Sequence, residues 1–173
     1  LAIGSDSDFC RIPMTPGTAQ RLADLFGASL LTAKLSDHIW QKAEIKLEPF
    51  FYKPVGNANE LVTKFEEHNS QIEIQLAMTG GKHGQLVAGI KKDVIISSRI
   101  EERNDRVVIY GWHRPDGTPI QPVYSGHIWW YVDYSHGIRF MNARVLVDGR
   151  PVNISDLLND SVLFRIVSDE DKP

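Results

Sequence analysis

Apolar residues recur at helical intervals through the first half of the chain and in β-branched runs through the second. In 14–28, MTPGTAQRLADLFGA, residues Ala19, Leu22, Ala23 and Phe26 fall on one helical face. Thr15-Pro16 supplies an N-cap followed by the first helical position, which predicts a short amphipathic helix. A second helix is expected from Thr32 or Ser36 to about Leu47, with Leu35, Ile39, Trp40 and Ala43 on one face and Pro49 as its stop. The two would form a helical hairpin. A third helix is expected within 57–78, with Leu61, Phe65, Ile72 and Leu76 inward and Glu66, Glu67 and His68 toward solvent.

After TGGKHGQ the texture changes to LVAGIKKDVIISSRI, RVVIYGW, HIWWYV and ARVLVDGRPV, separated by Gly, Pro, Asn and Asp clusters that predict strands and turns. Asp116-Gly117 and Asp148-Gly149 favour tight hairpins, because both residue types tolerate positive φ. TGGKHG lacks the spacing of a phosphate-binding loop and reads as a flexible connection. The expected fold class is α+β, with N-terminal helices packed on a mainly antiparallel C-terminal β-sheet. A single domain spanning 1–173 is expected, its helical part about 14–78 and its β-rich part about 84–168. The tail SDEDKP has no apolar anchor and is expected to fray.

Composition narrows the partners. A net charge of -3 and a pI near 6.1 give no global attraction to nucleic acid, so none is expected as a partner. No apolar run approaches the ~20 residues of a membrane-spanning helix, so no membrane span is expected. The single cysteine, Cys10, excludes an internal disulfide and any multi-cysteine zinc site. The chain opens on Leu1 without an initiator Met or a signal peptide, as a processed or trimmed product would. Its location, cytoplasmic or exported after loss of a targeting segment, stays open.

Candidate chemistry gathers in the second half. His113, His127 and His136 fall there beside Asp133, Ser135 and several tyrosines. An imidazole is the usual general base near neutral pH, a carboxylate can hold its tautomer, and a hydroxyl can act as nucleophile or proton donor. If 127–135 were one strand, His127, Trp129, Tyr131, Asp133 and Ser135 would share a face, with His127 and Asp133 ~20 Å apart. The more economical reading turns the chain at DYSHG, with HIWWYV pairing against IRFMNARV and Gly137 at positive φ. Asp133 would then cap the turn. In either reading the site is completed by His113 or His127. The same histidines, with Asp133 or Asp93, also offer nitrogen and oxygen ligands to zinc, although no other cofactor is predicted and no His-Glu-x-x-His pair is present.

YGWH followed by YSHGIRF resembles the L,D-transpeptidase pattern, in which an upstream histidine precedes a Ser/Thr-His-Gly-Cys-Ile/Val-Arg block on a β-rich catalytic domain. The resemblance implies roles for His113, Ser135, His136, Gly137, Ile138 and Arg139. The family's nucleophilic cysteine would fall between Gly137 and Ile138 and is missing, and Arg114 stands where the upstream glycine would follow His113. KKDV and IQPVY are similar to blocks of uncharacterised bacterial proteins.

These features together point to a bacterial hydrolase or acyl-transferase-like enzyme acting on a glycan or cell-wall-related substrate. His113, His127, Asp133, Ser135 and His136 are the expected catalytic set. Trp112, Trp129 and Tyr131 would stack on sugar rings, while Arg139 and Lys92 would hold anionic groups. Two alternatives are a non-catalytic glycan-binding or interaction domain and a metal-dependent hydrolase with a His/Asp site.

Overall fold

The computed structural model describes residues 1–82, 84–101 and 103–173, so His83 of the glycine-rich connection lies outside the described residues. A small antiparallel pair, β1 (Ile3–Gly4) and β2 (Phe9–Cys10), leads into α1 (Pro16–Leu25). Thr15 caps α1 by accepting from the Thr18 backbone N–H, and Ala19 and Ala23 form its buried stripe. β3 (Ala28–Leu30) follows, then α2 (Ala33–Lys42), capped by Thr32, and β4 (Ile45–Lys46). β3 therefore separates the two helices, and the expected helical hairpin does not form. Ser29, Leu30 and Leu31 are buried, and β3 adds to a sheet rather than serving as a helix–helix turn.

α3 (Val62–Thr79) ends in a left-handed Gly80. Its inward face is Phe65, His68, Asn69 and Ile72, spaced i, i+3, i+4 and i+7. His68, expected toward solvent, is fully buried, whereas Leu61, expected inward, is exposed. Polar side chains occupy half of the inward stripe, which hides it from a reading based on hydrophobicity alone.

The second half supplies β5 (Val87–Ala88), β6 (Lys92–Val94), β7 (Ile109–His113), β8 (Pro119–Tyr124), β9 (His136–Gly137), β10 (Phe140–Asn142), β11 (Arg144–Val147) and β12 (Arg150–Asn153). The principal sheet has the order β8-β7-β6-β9, antiparallel except that β9 runs parallel to β6. Asp116-Gly117 turns β7 into β8, with Gly117 at φ 94°, and Asp148-Gly149 joins β11 to β12 with both residues at positive φ. Both expected hairpins are present. Prolines 119 and 122 are accommodated because β8 is an edge strand. A fourth helix, α4 (Ile154–Asn159), follows the last strand, and with β3 and β4 lying between the first three helices the fold is mixed α+β.

The sheet is covered on both faces. Val94, Ile109 and Ile138 pack with Ala19 of α1 and Leu30 on one face, while Ile95 and Val108 pack with Leu31, Leu35 and Ile39 on the α2 face. Burying an aliphatic side chain as fully as Ile109 contributes roughly 1.5–3 kcal/mol.

The turn at DYSHG differs from expectation. HIWWYV is not a strand, and IRFMNARV does not pair with it; β9 instead completes the principal sheet beside β6, while β10 pairs with β3. The partners are distant in sequence, so local pattern does not encode them. Gly137 has no positive φ; a Cβ there would lie 2.8 Å from Lys91 Cβ and 2.9 Å from the Lys92 carbonyl oxygen. The glycine is required by close approach between strands. The acidic tail is also held: Glu170 accepts from the Ser97 hydroxyl and the Ser98 N–H, and Asp169 pairs with Lys34. Polar anchors replace the apolar ones that it lacks.

Candidate functional site around Asp133

Asp133 organises the loop before β9. Its Oδ1 accepts from the Ser135 backbone N–H at 2.8 Å and the Ser135 hydroxyl at 2.6 Å, and its Oδ2 accepts from the Tyr131 hydroxyl at 3.1 Å. The His136 N–H donates to the Asp133 carbonyl, closing the turn. Burial pushes the carboxyl upward, but the neighbouring His136, the Ser135 bonds and Lys92 outweigh it, so Asp133 sits below its usual range and is ionised.

Two imidazoles stand next to this carboxylate. The Tyr131 ring stacks on His127 with centroids 4.4 Å apart, and His136 lies 5.6 Å from both rings. His136 is 1% exposed and its Nε2 has no hydrogen-bond partner among the described residues. Burial lowers its pKa to about 4, against the opposing pull of Asp133, so it is neutral at pH 7. Burial also draws half-buried His127 below 6.5. Because 127–135 is irregular, with Tyr131 N–H donating to the Ile128 carbonyl, Tyr131 bridges His127 to Asp133. The ~20 Å separation expected of a straight strand therefore does not apply.

Lys92 joins the group from β6. Its backbone pairs with His136, which puts both side chains on one face, and its Nζ lies 5.9 Å from the Trp112 ring centroid. Burial lowers its pKa. Lys91 and His68, neither in the expected site set, lie behind this group. Lys91 Nζ donates to the Tyr134 carbonyl and to His68 Nδ1 at 3.2 Å, while His68 Nε2 meets the Phe50 carbonyl at 3.0 Å. Burial takes Lys91 down to about 8 and His68 to about 3. The one legible signal for Lys91 was the KKD charge run inside an apolar stretch.

His113 does not join them. Gly111 and Trp112 both have positive φ, at 92° and 53°, beside a register shift in β7. The resulting twist sends Tyr110 and His113 to the α2 face. There Asp37 accepts from the Tyr110 hydroxyl at 2.8 Å and lies 2.7 Å from His113 Nε2, and Trp40 stacks on the imidazole. Asp93, on the same face, accepts from the Ser36 hydroxyl at 2.6 Å and lies 3.9 Å from Arg139 Nε. Asp37, on α2, was absent from the expected set because its partner is 76 residues away.

The aromatic residues also divide. Trp112 is a core residue packed with Phe65 and Tyr134, its indole N–H donating to the Gly89 carbonyl, so it is not presented to a ligand. Trp129 and Trp130 are exposed, with rings 5.7 Å apart and nearly perpendicular. Among the described residues no group of three or more His, Cys, Asp or Glu side chains is arranged to hold a metal ion. No family model, curated protein or solved structure matches the chain.

Proposed function

We propose that the cluster is the active centre of a hydrolase that cleaves an acyl bond in a glycan or cell-wall-related substrate, with water as the nucleophile. The observation that carries this reading is the buried, unpartnered Nε2 of neutral His136 beside half-exposed His127 and ionised Asp133. His127 takes a proton from water as the water oxygen bonds to the acyl carbon, and the resulting imidazolium returns that proton to the leaving group. The Lys92 ammonium stabilises the developing oxyanion, and buried His136 packs against His127 from the interior. Asp133 is a positioning residue that holds Tyr131 and, through it, the plane of His127.

Three features favour this over a serine nucleophile, a cysteine nucleophile or a glycosidase. The Ser135 hydroxyl proton is committed to Asp133 rather than to an imidazole. The cysteine of the resembling transpeptidase block is missing, which removes its thiolate step. Glycoside cleavage usually asks for two facing carboxylates, and among the described residues Asp133 is the one carboxylate hydrogen-bonded within this group, Glu60 acting on Tyr131 only through its charge. The exposed Trp129–Trp130 pair supports a sugar-bearing substrate.

The test is turnover on acylated glycans and cell-wall peptides. His127→Ala is expected to lose at least 100-fold in kcat with folding intact, and the wild-type rate should fall with acid as His127 protonates below pH 6.5. Trapping of an acyl group on Ser135, or unchanged kcat in both His127→Ala and His136→Gln, would overturn the assignment. Ligand binding without turnover would instead favour a glycan-binding domain, a reading that the exposed tryptophans also suit. Elemental analysis tests the zinc-dependent variant.

A further inference from the structure

A cavity of about 360 Å³ opens where β2 meets the segments preceding β6 and following β9, and its lining includes Arg11, Lys91, Asp93 and Arg139. The two arginines also line an adjoining cavity of about 320 Å³. Each guanidinium is tethered along one edge. Arg11 Nη1 donates to Asn69 Oδ1 at 2.9 Å and to Glu73 Oε1 at 2.5 Å, and the guanidinium carbon lies 5.0 Å from the Phe9 ring centroid. Arg139 Nη2 donates to the Val87 carbonyl at 2.9 Å. The remaining edge is unused: Arg11 Nη2 and Arg139 Nη1 make no hydrogen bond among the described residues.

The electrostatics point the same way. Asp93 is the one acidic side chain among the described residues lining the larger cavity, and the Ser36 hydroxyl already occupies one of its oxygens. Arg11, Lys91 and Arg139 thus outnumber two carboxylates, Glu73, which is paired with Arg11, and Asp93, which burial pushes toward protonation. Guanidinium groups held in place with free N–H edges recognise planar or tetrahedral oxyanions through paired hydrogen bonds.

We propose that this cavity binds a compact oxyanion of the carboxylate or phosphate class through the free edges of Arg11 and Arg139, with Lys91 contributing charge from behind. The site does not depend on the catalytic reading of the Asp133 cluster. Its volume suits a small ligand or the anionic group of a larger one.

Calorimetric titration of the whole chain with inorganic phosphate and, separately, succinate, at ionic strength fixed with chloride, tests the site. At least one anion is expected to bind in competition with chloride. Arg11→Gln and Arg139→Gln should each weaken that binding at least tenfold, and Arg139→Lys by less. Preference for phosphate would identify a phosphorylated ligand, and preference for succinate a carboxylate. As a measurement that needs no variant, the bound anion should protect Arg11 and Arg139 from phenylglyoxal, read by mass spectrometry. Absence of binding above chloride overturns the proposal. So does binding equal to wild type in both folded glutamine variants, or modification of both arginines at an unchanged rate in the presence of phosphate and succinate.

Discussion

His136 illustrates how burial sets chemistry at the scale of one residue. Its neighbour Ser135 makes an obvious pair on paper, yet the hydroxyl turns to Asp133 while the imidazole enters the interior with Nε2 unpartnered. This arrangement has a consequence for stability. The folded pKa, about 4, lies below the ordinary 6.5, so between these values the unfolded chain binds more protons than the folded one. Stability is therefore unaffected by this group above pH 6.5, declines as pH falls, and levels off below about 4. At pH 5 the loss amounts to on the order of 2 kcal/mol. Urea denaturation at pH 7 and pH 5 should show a smaller difference for His136→Gln than for wild type, by about that amount; equal differences would contradict the assignment of the shift to burial. His68, lowered to about 3, leaves a further acid-dependent loss in both proteins.

Among the elements, β9 shows how two residues can position a site. His136-Gly137 docks beside Lys92-Asp93, setting His136 and Lys92 on one face and Asp93 on the other. The docking depends on Gly137, where a Cβ would press on the Lys92 carbonyl as well as on Lys91. Gly137→Ala is expected to destabilise by about 2 kcal/mol or more. Gly149→Ala, in an open turn at φ 76°, should cost about 1 kcal/mol from backbone strain alone. Thermal melts of the two variants check this order, and a larger loss for Gly149→Ala would mean that β9 can back away from β6. The β11–β12 hairpin was legible from Asp148-Gly149, because a turn's chemistry lies in adjacent residues. The β6–β9 pairing was not, because nothing in KKDV and SHGI specifies a parallel partner more than 40 residues away.

At the scale of the whole molecule, the covered centre of the principal sheet contrasts with its peripheral hairpins. Val94, Val107, Val108 and Ile109 are each at most 1% exposed, while β11 and β12 carry exposed positions along their length. Native-state hydrogen exchange is therefore expected to be slowest at the β6–β7 amides and faster by orders of magnitude at β11–β12. Comparable protection in both would show that the hairpin unfolds only with the core. Helical periodicity, Thr15-Pro16, the β-branched runs and the Asp-Gly turns by themselves determined the α+β class and the approximate position of α1, α2, α3 and two hairpins, since each of these rests on residues a few positions apart. They also drew attention to His127, Asp133 and His136. Only the tertiary structure decided that His113 belongs with Asp37 on the α2 face, that Trp112 and His68 are interior, and that Lys91 and Lys92 flank the candidate centre. Those outcomes depend on sheet order, on the left-handed step at Gly111-Trp112 and on burial, which arise from contacts between distant segments.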